Sequence, residues 1–406
     1  MADIQFTLDT ELVQKLFEKS GGVAKLLEQM LNEVLEAEVT EALGAQRYER
    51  TGTRRGYRNG HRTRKLYTRV GGLNLRVPQV RDGEFSTELF ARYQRSEQAL
   101  VLAMMEMVIN GVSTRKVSRI TEELCGTSFS KSTVSALCKR LDPLVEAWRN
   151  RPLGCFPFVL VDALTIRIRY EHRVVTYSVL IAVGINADGY RELIGFQIGD
   201  SESEATWSAL FAHLKHRGLH GVSLIVSDDH RGLVAAVRRH FQGVAWQRCQ
   251  THFIKNILDA TPNALKKELK SRVQEIFEAR TPESARRLLQ AVIDDYAERA
   301  PKAIACLETG FDDATAVLAL PEPYRKRLRT TNSVERLNAT IRNRERVIRI
   351  FPNEQSAVRL IGALLMEKHE VWSTGRRYFD MQPYWQWKEA QQHTNHDNKL
   401  TLFEPN

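Results

Sequence analysis

Three shortages narrow what this chain of 406 residues can be. Cysteine is scarce. Cys125, Cys138, Cys155, Cys249 and Cys306 are scattered and odd in number, which argues against a disulfide framework and suits a reducing cytosol. Long apolar runs are missing as well. The most hydrophobic stretch, Leu153 to Ile168, is interrupted by Asp162 and Arg167 and falls short of the roughly 18–20 residues of a membrane span. Finally, the opening MADIQFTLDTELVQKLF carries acids where a secretion signal needs Lys or Arg. The expectation is a cytoplasmic protein with no membrane partner.

What is present describes a folded protein with an anionic partner. Apolar residues make up 43% and charged residues 27%, a balance that excludes wholesale disorder. At roughly 100–200 residues per domain, the length allows two to four domains. Lys and Arg number 59 against 49 Asp and Glu, for a net charge of +10. Such an excess points to a polyanion only once its location is known.

The first 45 residues are acidic and helical. Val23, Leu26, Leu27, Met30, Val34, Leu35 and Val39 recur at three- and four-residue steps, giving an apolar stripe for a local core or for a partner helix. Composition then shifts. Arg47 to Arg69 holds nine basic residues and one acid, Glu49, with Tyr48, Tyr57 and Tyr67 among glycines. Arg54, Arg55, Arg58, Arg62, Arg64 and Lys65 lie where Gly52, Gly56 and Gly60 disfavour a helix, so the segment reads as a nucleic-acid-binding arm or a solvated basic loop. Further on, Ser113 can cap a helix carrying Val117, Ile120 and Leu124. Gly126 breaks it, and Ser130 caps a second helix with Val134, Leu137 and Leu141. Lys131, Ser132, Thr133 and Ser135 open that second helix. This is the pattern of a helix-turn-helix whose front reads base edges, or of an ordinary helical hairpin.

Beyond Asn150–Gly154 the period becomes strand-like. Strands are expected at Phe158–Arg169, Val174–Ile185 and Tyr190–Ile198, then at Val222–Val226 and Val244–Gln247, with helices at Ser203–Lys215, Gly232–His240 and from near His252. Three strands followed by alternating helices and strands give a mixed five-stranded sheet flanked by helices. Asp162 interrupts an apolar strand, where a lone buried carboxylate costs several kcal/mol unless it is paired or metal-bound. Asp228 closes another strand, at the kind of edge that lines clefts in α/β sheets. A cation would remove the repulsion between them. Taken singly, Asp162 could pair with Arg167 or Arg169, and Asp228 could cap a helix. A third acid, Glu335, lies in TTNSVERLNATIR on a polar stripe with Asn338 and Arg342. There it serves either a site or a capping box with Asn332.

The segments RRGYRNGHRTRKLYTRVGGLNLRVPQVRDGEF, INGVSTRKVSRI, SKSTVS, FVLVDAL, LIVSDDHRGL, WQRCQTHFIKNIL and TTNSVERLNATIRNR, in this order, resemble those of bacterial Mutator-type insertion-sequence transposases. The likeness runs from about residue 20 to residue 385. It implies a DDE enzyme with an RNase H-like catalytic domain, in which Asp162, Asp228 and Glu335 form the triad and hold two Mg²⁺ ions, with Mn²⁺ as a substitute. No small-molecule cofactor is implied. Double-stranded DNA, as terminal inverted repeats and target, is the implied partner, held in part by Arg336, Asn338, Arg342 and Arg344, and the protein is expected to act as a homodimer or higher homo-oligomer. The adjacent Asp229 is a bystander. The resemblance also suggests a structural or DNA-proximal role for Trp246, Cys249 and His252; no second Cys/His pair completes a tetrahedral zinc site. The expected organisation is a helical region and basic arm (1–95), a helix-turn-helix (96–150), a catalytic domain in two parts (151–258 and 325–385) around an all-α insertion (259–324), and a tail (386–406). Two rival readings are a helix-turn-helix regulator with an inactive catalytic fold, and a nuclease of the same fold without strand transfer.

The charge is concentrated rather than spread. Arg47–Arg69 carries a net +8 and Arg325–Arg349 a net +7, so the rest of the chain is mildly acidic. DNA affinity should therefore fall steeply and linearly on a log–log plot against salt, as counterion release requires. A fluorescence-anisotropy titration showing a flat salt dependence would contradict this placing of the charge.

Overall fold

The computed structural model describes residues 22–81, 85–89, 96–125 and 128–401, with side chains to 391. Contacts divide the chain into two compact units, Met1–Arg140 and Leu141–Asn406. Gly126, expected to break the helix-turn-helix, lies outside the described residues.

In the first unit, helix α1 (Gly22–Leu43) lies against an antiparallel hairpin of β1 (Arg58–Thr68) and β2 (Gly71–Val80). Leu35 packs with Leu66, Leu73, Leu75 and Val77, so the apolar stripe serves a local core. The basic segment is thus a β-hairpin over its second half rather than an irregular arm. Its glycines disfavour a helix, and alternation with Leu66, Leu73 and Leu75 supplies the strand period. Helices α2 (Gln98–Ile109), α3 (Thr114–Cys125) and α4 (Lys131–Cys138) follow. Ser113 Oγ accepts from Lys116 N at 3.3 Å and Ser130 Oγ from Thr133 N at 3.0 Å, as the sequence predicts for the two starts. The buried face of α3 is Val117, Thr121 and Cys125, while Leu124 is exposed. Ser118 Oγ donates to Phe129 O and ties α3 to the approach to α4.

The second unit opens with α5 (Asp142–Arg149) and is built on a sheet in the order β5-β4-β3-β6-β7. The strands are β3 (Phe158–Tyr170), β4 (Arg173–Ile185), β5 (Arg191–Gly199), β6 (Leu224–Ser227) and β7 (Ala245–Arg248). The first three are antiparallel, and β3, β6 and β7 are parallel, matching the expected mixed sheet. On one face, α6 (Glu204–His216) and α7 (Arg231–His240) bring Trp207, Leu210, Phe211, Leu233 and Val237 onto Val159, Val161 and Leu180. Burial of such side chains stabilises by roughly 1.5–3 kcal/mol each.

The chain then leaves the sheet through α8 (Gln250–Asp259) into α9 (Lys266–Phe277), α10 (Pro282–Tyr296) and α11 (Pro301–Thr315), which share a separate hydrophobic cluster including Leu269, Val273, Val292 and Leu307. Gln247 secures the return: its Nε2 donates to Ala314 O and its Oε1 accepts from Val317 N, both at 2.7 Å. Helices α12 (Glu322–Leu328), α13 (Asn332–Ile348), α14 (Glu354–Ser373) and α15 (Gln382–Thr401) complete the unit. Contacts place α13 against β3 and α14 against β5. The stretch expected as a tail starts inside α15, where buried Tyr384 donates to Ser223 Oγ at 2.7 Å.

Gly189 marks the turn between β4 and β5, with φ +88°, and its carbonyl accepts from Tyr378 N and Phe379 N. A Cβ there would stand 1.9 Å from Phe379 O, a backbone atom that cannot step aside. Gly189→Ala should cost more than about 2 kcal/mol through strain and overlap together. Chemical denaturation showing a loss below about 0.5 kcal/mol, the scale of an ordinary surface substitution, would contradict this anchoring of the turn.

Candidate active site

The sheet register brings two of the three acids side by side. Phe158, Val159 and Leu160 pair with Leu224, Ile225 and Val226 in parallel, so two residues on Asp162 stands level with Asp228, just past the end of β6. Asp162 is 8% exposed in the central strand. Its partners are neither Arg167 nor Arg169. Oδ1 accepts from Ala163 N at 2.9 Å and Oδ2 from Asn338 Nδ2 at 2.8 Å. That second bond fixes α13 over β3. Glu335, one turn before Asn338, faces the same way.

Asn338 is therefore buried against Asp162 and does not project toward solvent, as a residue holding DNA backbone would. No capping box forms either. The N-cap of α13 is Thr331, whose Oγ1 donates to Glu335 Oε1 at 3.4 Å, and Asn332 Oδ1 accepts from Thr251 Oγ1 at 3.2 Å. Asp229 forms a 3.0 Å ion pair with Arg248.

Burial pushes the Asp162 carboxyl up to about 7, against the Ala163 hydrogen bond, and the charges of Asp228 and Glu335 add to the rise while His252 opposes it. Asp228 is also raised, first by burial, with His252 and His230 opposing and Asp229 adding. These mutual influences place the three acids in one electrostatic neighbourhood, which His252 shares.

The WQRC–H motif forms the wall beside Glu335. Trp246 Nε1 donates to Ser227 Oγ at 2.8 Å, bracing the strand end before Asp228. Buried Cys249 caps α8, and its Sγ accepts from Thr331 N at 3.4 Å and Thr331 Oγ1 at 3.3 Å. His252 Nε2 stands 3.7 Å from Glu335 Oε1. A hydrogen bond with Cys249 raises His252 to about 9 against its burial, and the Cys249, Glu335 and Asp228 charges add to the rise. Burial raises the Cys249 thiol, but the bonds with His252 and Thr331 outweigh it and leave the thiol below its ordinary value. Cys249, His252 and Glu335 bring ligand atoms within 4.8 Å of one another, one protein ligand short of a structural zinc tetrahedron.

Two polar neighbours were not anticipated from sequence. Glu202 accepts from Trp207 Nε1 at 3.3 Å and faces His230 Nδ1 at 3.4 Å. Burial raises its carboxyl, His230 opposes, and Asp228 adds. The only sequence signal was that Glu202 lies just before the Ser203 cap and His230 just after the Asp pair.

The expected DNA contacts divide by exposure. Arg55, Arg62, Lys65, Lys131, Ser132, Thr133, Ser135, Arg336 and Arg342 are exposed, and Arg64 and Arg344 are half-buried. Arg58 instead donates to Thr40 Oγ1 at 2.7 Å and pairs with Glu36 at 3.3 Å, holding the hairpin to α1. Arg54 donates to Gly56 O and Glu49 O, both at 2.9 Å, a loop-shaping role. Arg342 lines a groove of about 680 Å³ with Arg167, Arg346 and Arg349, along the same side of α13 as Glu335.

The donor set suits a hard divalent cation. Three oxygen-bearing acids converge, the innermost is costly to ionise, and Asn338 Oδ1 is buried with no hydrogen-bond partner.

Comparison with known proteins gives the family. A family profile described as "Transposase, Mutator family" matches residues 1–375. The transposase for insertion sequence element IS256 in transposon Tn4001 of Staphylococcus aureus is 46% identical over 388 residues, 94% of this chain and 99% of that one. That for ISRM5 of Rhizobium meliloti is 44% identical over 367 residues, 90% and 92% of the two chains. That for IS1081 of Mycobacterium tuberculosis is 37% identical over 381 residues, 92% of each. The chain belongs to the Mutator family of transposases. Among its described residues no helix is long and apolar enough to cross a membrane.

The raised Asp162 carboxyl has a consequence for stability. Unfolded, it titrates near 4; folded, near 7. The native state binds the proton more tightly, so this contribution is full below pH 4 and lost as pH rises through 7. In EDTA at pH 8, Asp162→Asn should be more stable than the parent by on the order of 4 kcal/mol. The gap should vanish near pH 4 and shrink when Mg²⁺ is added. A gap independent of pH, measured by urea denaturation, would contradict the burial of an uncompensated carboxylate.

Proposed function

We propose that this protein is the transposase of an insertion sequence, binding its terminal inverted repeats, cutting DNA strands at the element's ends and joining them to target DNA. One observation carries the reading: a carboxylate buried mid-sheet, level with a second, is hydrogen-bonded by the helix that carries the third. The mixed sheet interrupted by helices supports an RNase H-like catalytic domain. Asp162, Asp228 and Glu335 are its DDE triad, and together they would hold two Mg²⁺ or Mn²⁺ ions. So bound, the metal would supply Lewis-acid activation of water or a DNA 3′-OH and neutralise charge on the phosphate.

The chain's own residues set up that reaction. Asn338 fixes the rotamer of Asp162 and so the direction of its free lone pairs. The Thr331 hydroxyl steadies Glu335, and Cys249 Sγ holds Thr331 in turn by accepting from its backbone N–H. The His252 imidazolium adds a fixed positive charge beside Glu335, where a scissile phosphate would bring negative charge. Arg342 and Arg346 continue that side of α13 and would grip the backbone leading into the site.

In the first unit, the exposed front of α4 with Lys131, Ser132, Thr133 and Ser135 acts as the second helix of a helix-turn-helix. Arg55, Arg62 and Lys65 would add phosphate contacts. A homodimer or higher homo-oligomer, working on DNA in the cytoplasm, would bring two ends together.

Asp162→Ala, Asp228→Ala and Glu335→Ala should each abolish metal-dependent nicking of a labelled element end, by more than about a thousandfold, because all three must act together. Binding of the same DNA should change less than about threefold, the ordinary effect of altering a group outside the binding contacts. Cleavage retained by Asp162→Ala would sink the assignment. Joining of a pre-cut 3′-OH end to plasmid DNA separates a transposase from a nuclease of the same fold.

A further inference from the structure

Helix α13 has a second cationic side. Arg336 projects roughly 200° away from Asn338 and about 100° from Glu335 at 100° per residue, so it points away from Asp162. There, with Ser333 and Thr340, it lines a groove of about 910 Å³. The other walls come from the start of β5 (Arg191), from α12 (Lys326, Arg327), and from α14 and the segment after it (Lys368, Arg376, Arg377). Seven of the lining residues are Lys or Arg and none is Asp or Glu.

Two features show that these charges are left for an outside partner. Among the described residues, Lys368 alone of the seven has an ion pair, a 3.9 Å contact with Glu367. Meanwhile the groove's floor is pre-arranged. The Arg191 guanidinium lies 3.6 Å from the Trp372 ring centroid and 5.0 Å from that of Tyr378, and its buried Nε has no hydrogen-bond partner. Arg327 covers the Tyr378 ring at 4.8 Å and donates to the Tyr378 carbonyl. Rings that clamp planar guanidinium groups remove rotamer freedom before any ligand arrives, which lowers the cost of binding. With little neutralisation inside the groove, like charges repel, and a regularly spaced polyanion relieves that.

We infer that the groove bounded by Arg191, Arg327, Arg336, Arg376 and Arg377 binds the phosphodiester backbone of DNA, at a stretch removed from the scissile phosphate on the other side of α13. The inference rests on the reading that the protein works on DNA, and it is independent of the triad assignment. The enzyme thus holds its DNA on both sides of the helix that carries Glu335. Phosphates near the cut lie along Arg342 and Arg346, and a further segment of the bound DNA lies along Arg376 and Arg377.

The test uses the full chain carrying Lys326→Glu, Arg376→Glu and Arg377→Glu, at three positions exposed to solvent. The probe is a fluorescein-labelled duplex several helical turns long. Affinity should fall at least tenfold, and the log–log salt slope should become shallower by about 2 to 3, near 0.9 per lost phosphate contact. The Lys326→Arg, Arg376→Lys, Arg377→Lys protein should keep parental affinity, which separates charge from misfolding. Trimming the duplex to one turn around the cut should weaken the parent's binding and barely change the Glu variant's. Unchanged affinity and slope in the Glu variant overturn the proposal. So does protection of the groove by inorganic phosphate alone, with duplex binding unaffected, which would mark a small-anion site. If Asp162→Ala still cuts DNA while the groove variant loses affinity, the triad reading fails and the groove stands.

Discussion

The hydrogen bond from Asn338 to Asp162 is the contact on which the site depends. A carboxylate in the middle strand of a sheet is costly to ionise, and burial lifts it to about 7. Among the described residues, its one side-chain donor comes from α13, a helix 176 residues away in sequence. The bond therefore locks Glu335 onto the sheet and leaves Asp162 short of compensating charge. Both results favour a cation. The same burial that destabilises the ionised acid would make binding of a cation depend on the assembled fold.

The surrounding parts hold that helix in register. Gln247 and Gln250 tie the end of the inserted helices to β7 and α8, so the chain re-enters near where it left. Cys249, Thr331 and Thr251 join the start of α8 to the start of α13. A motif that invites a zinc reading is better explained as this junction. Its sulfur accepts from the Thr331 backbone N–H, and the Thr331 hydroxyl lies between Cys249 Sγ and Glu335 Oε1.

Much of this was legible in the sequence, for physical reasons that differ from place to place. Asp162 was visible because an apolar strand tolerates no idle carboxylate, and Asp228 because a strand end before a helix is where sheets expose their clefts. The five strands followed from alternation and turn residues such as Asn186–Gly189. Glu335, Asn338 and Arg342 were readable as one polar stripe, yet periodicity gives faces without saying what each face meets. Hence Asn338 was read as a DNA contact although it turns inward. The hairpin of residues 58–80 was obscured by its glycines and like charges, because its core is supplied by α1, distant in sequence. Arg58 was misplaced for the same reason, since its partners Glu36 and Thr40 lie on that helix. The groove behind α13 was only half visible, because Arg191, Lys368 and Arg376 meet Arg336 through folding alone.

Asp162, Asp228 and Glu335 are proposed to form one cation site. Crystals of the protein with DNA and Mn²⁺, measured at the manganese absorption edge, test it most directly. Anomalous peaks in contact with the carboxylate oxygens of Asp162, Asp228 and Glu335 are the predicted result. A peak at Cys249 and His252 with none beside Asp162 would contradict it.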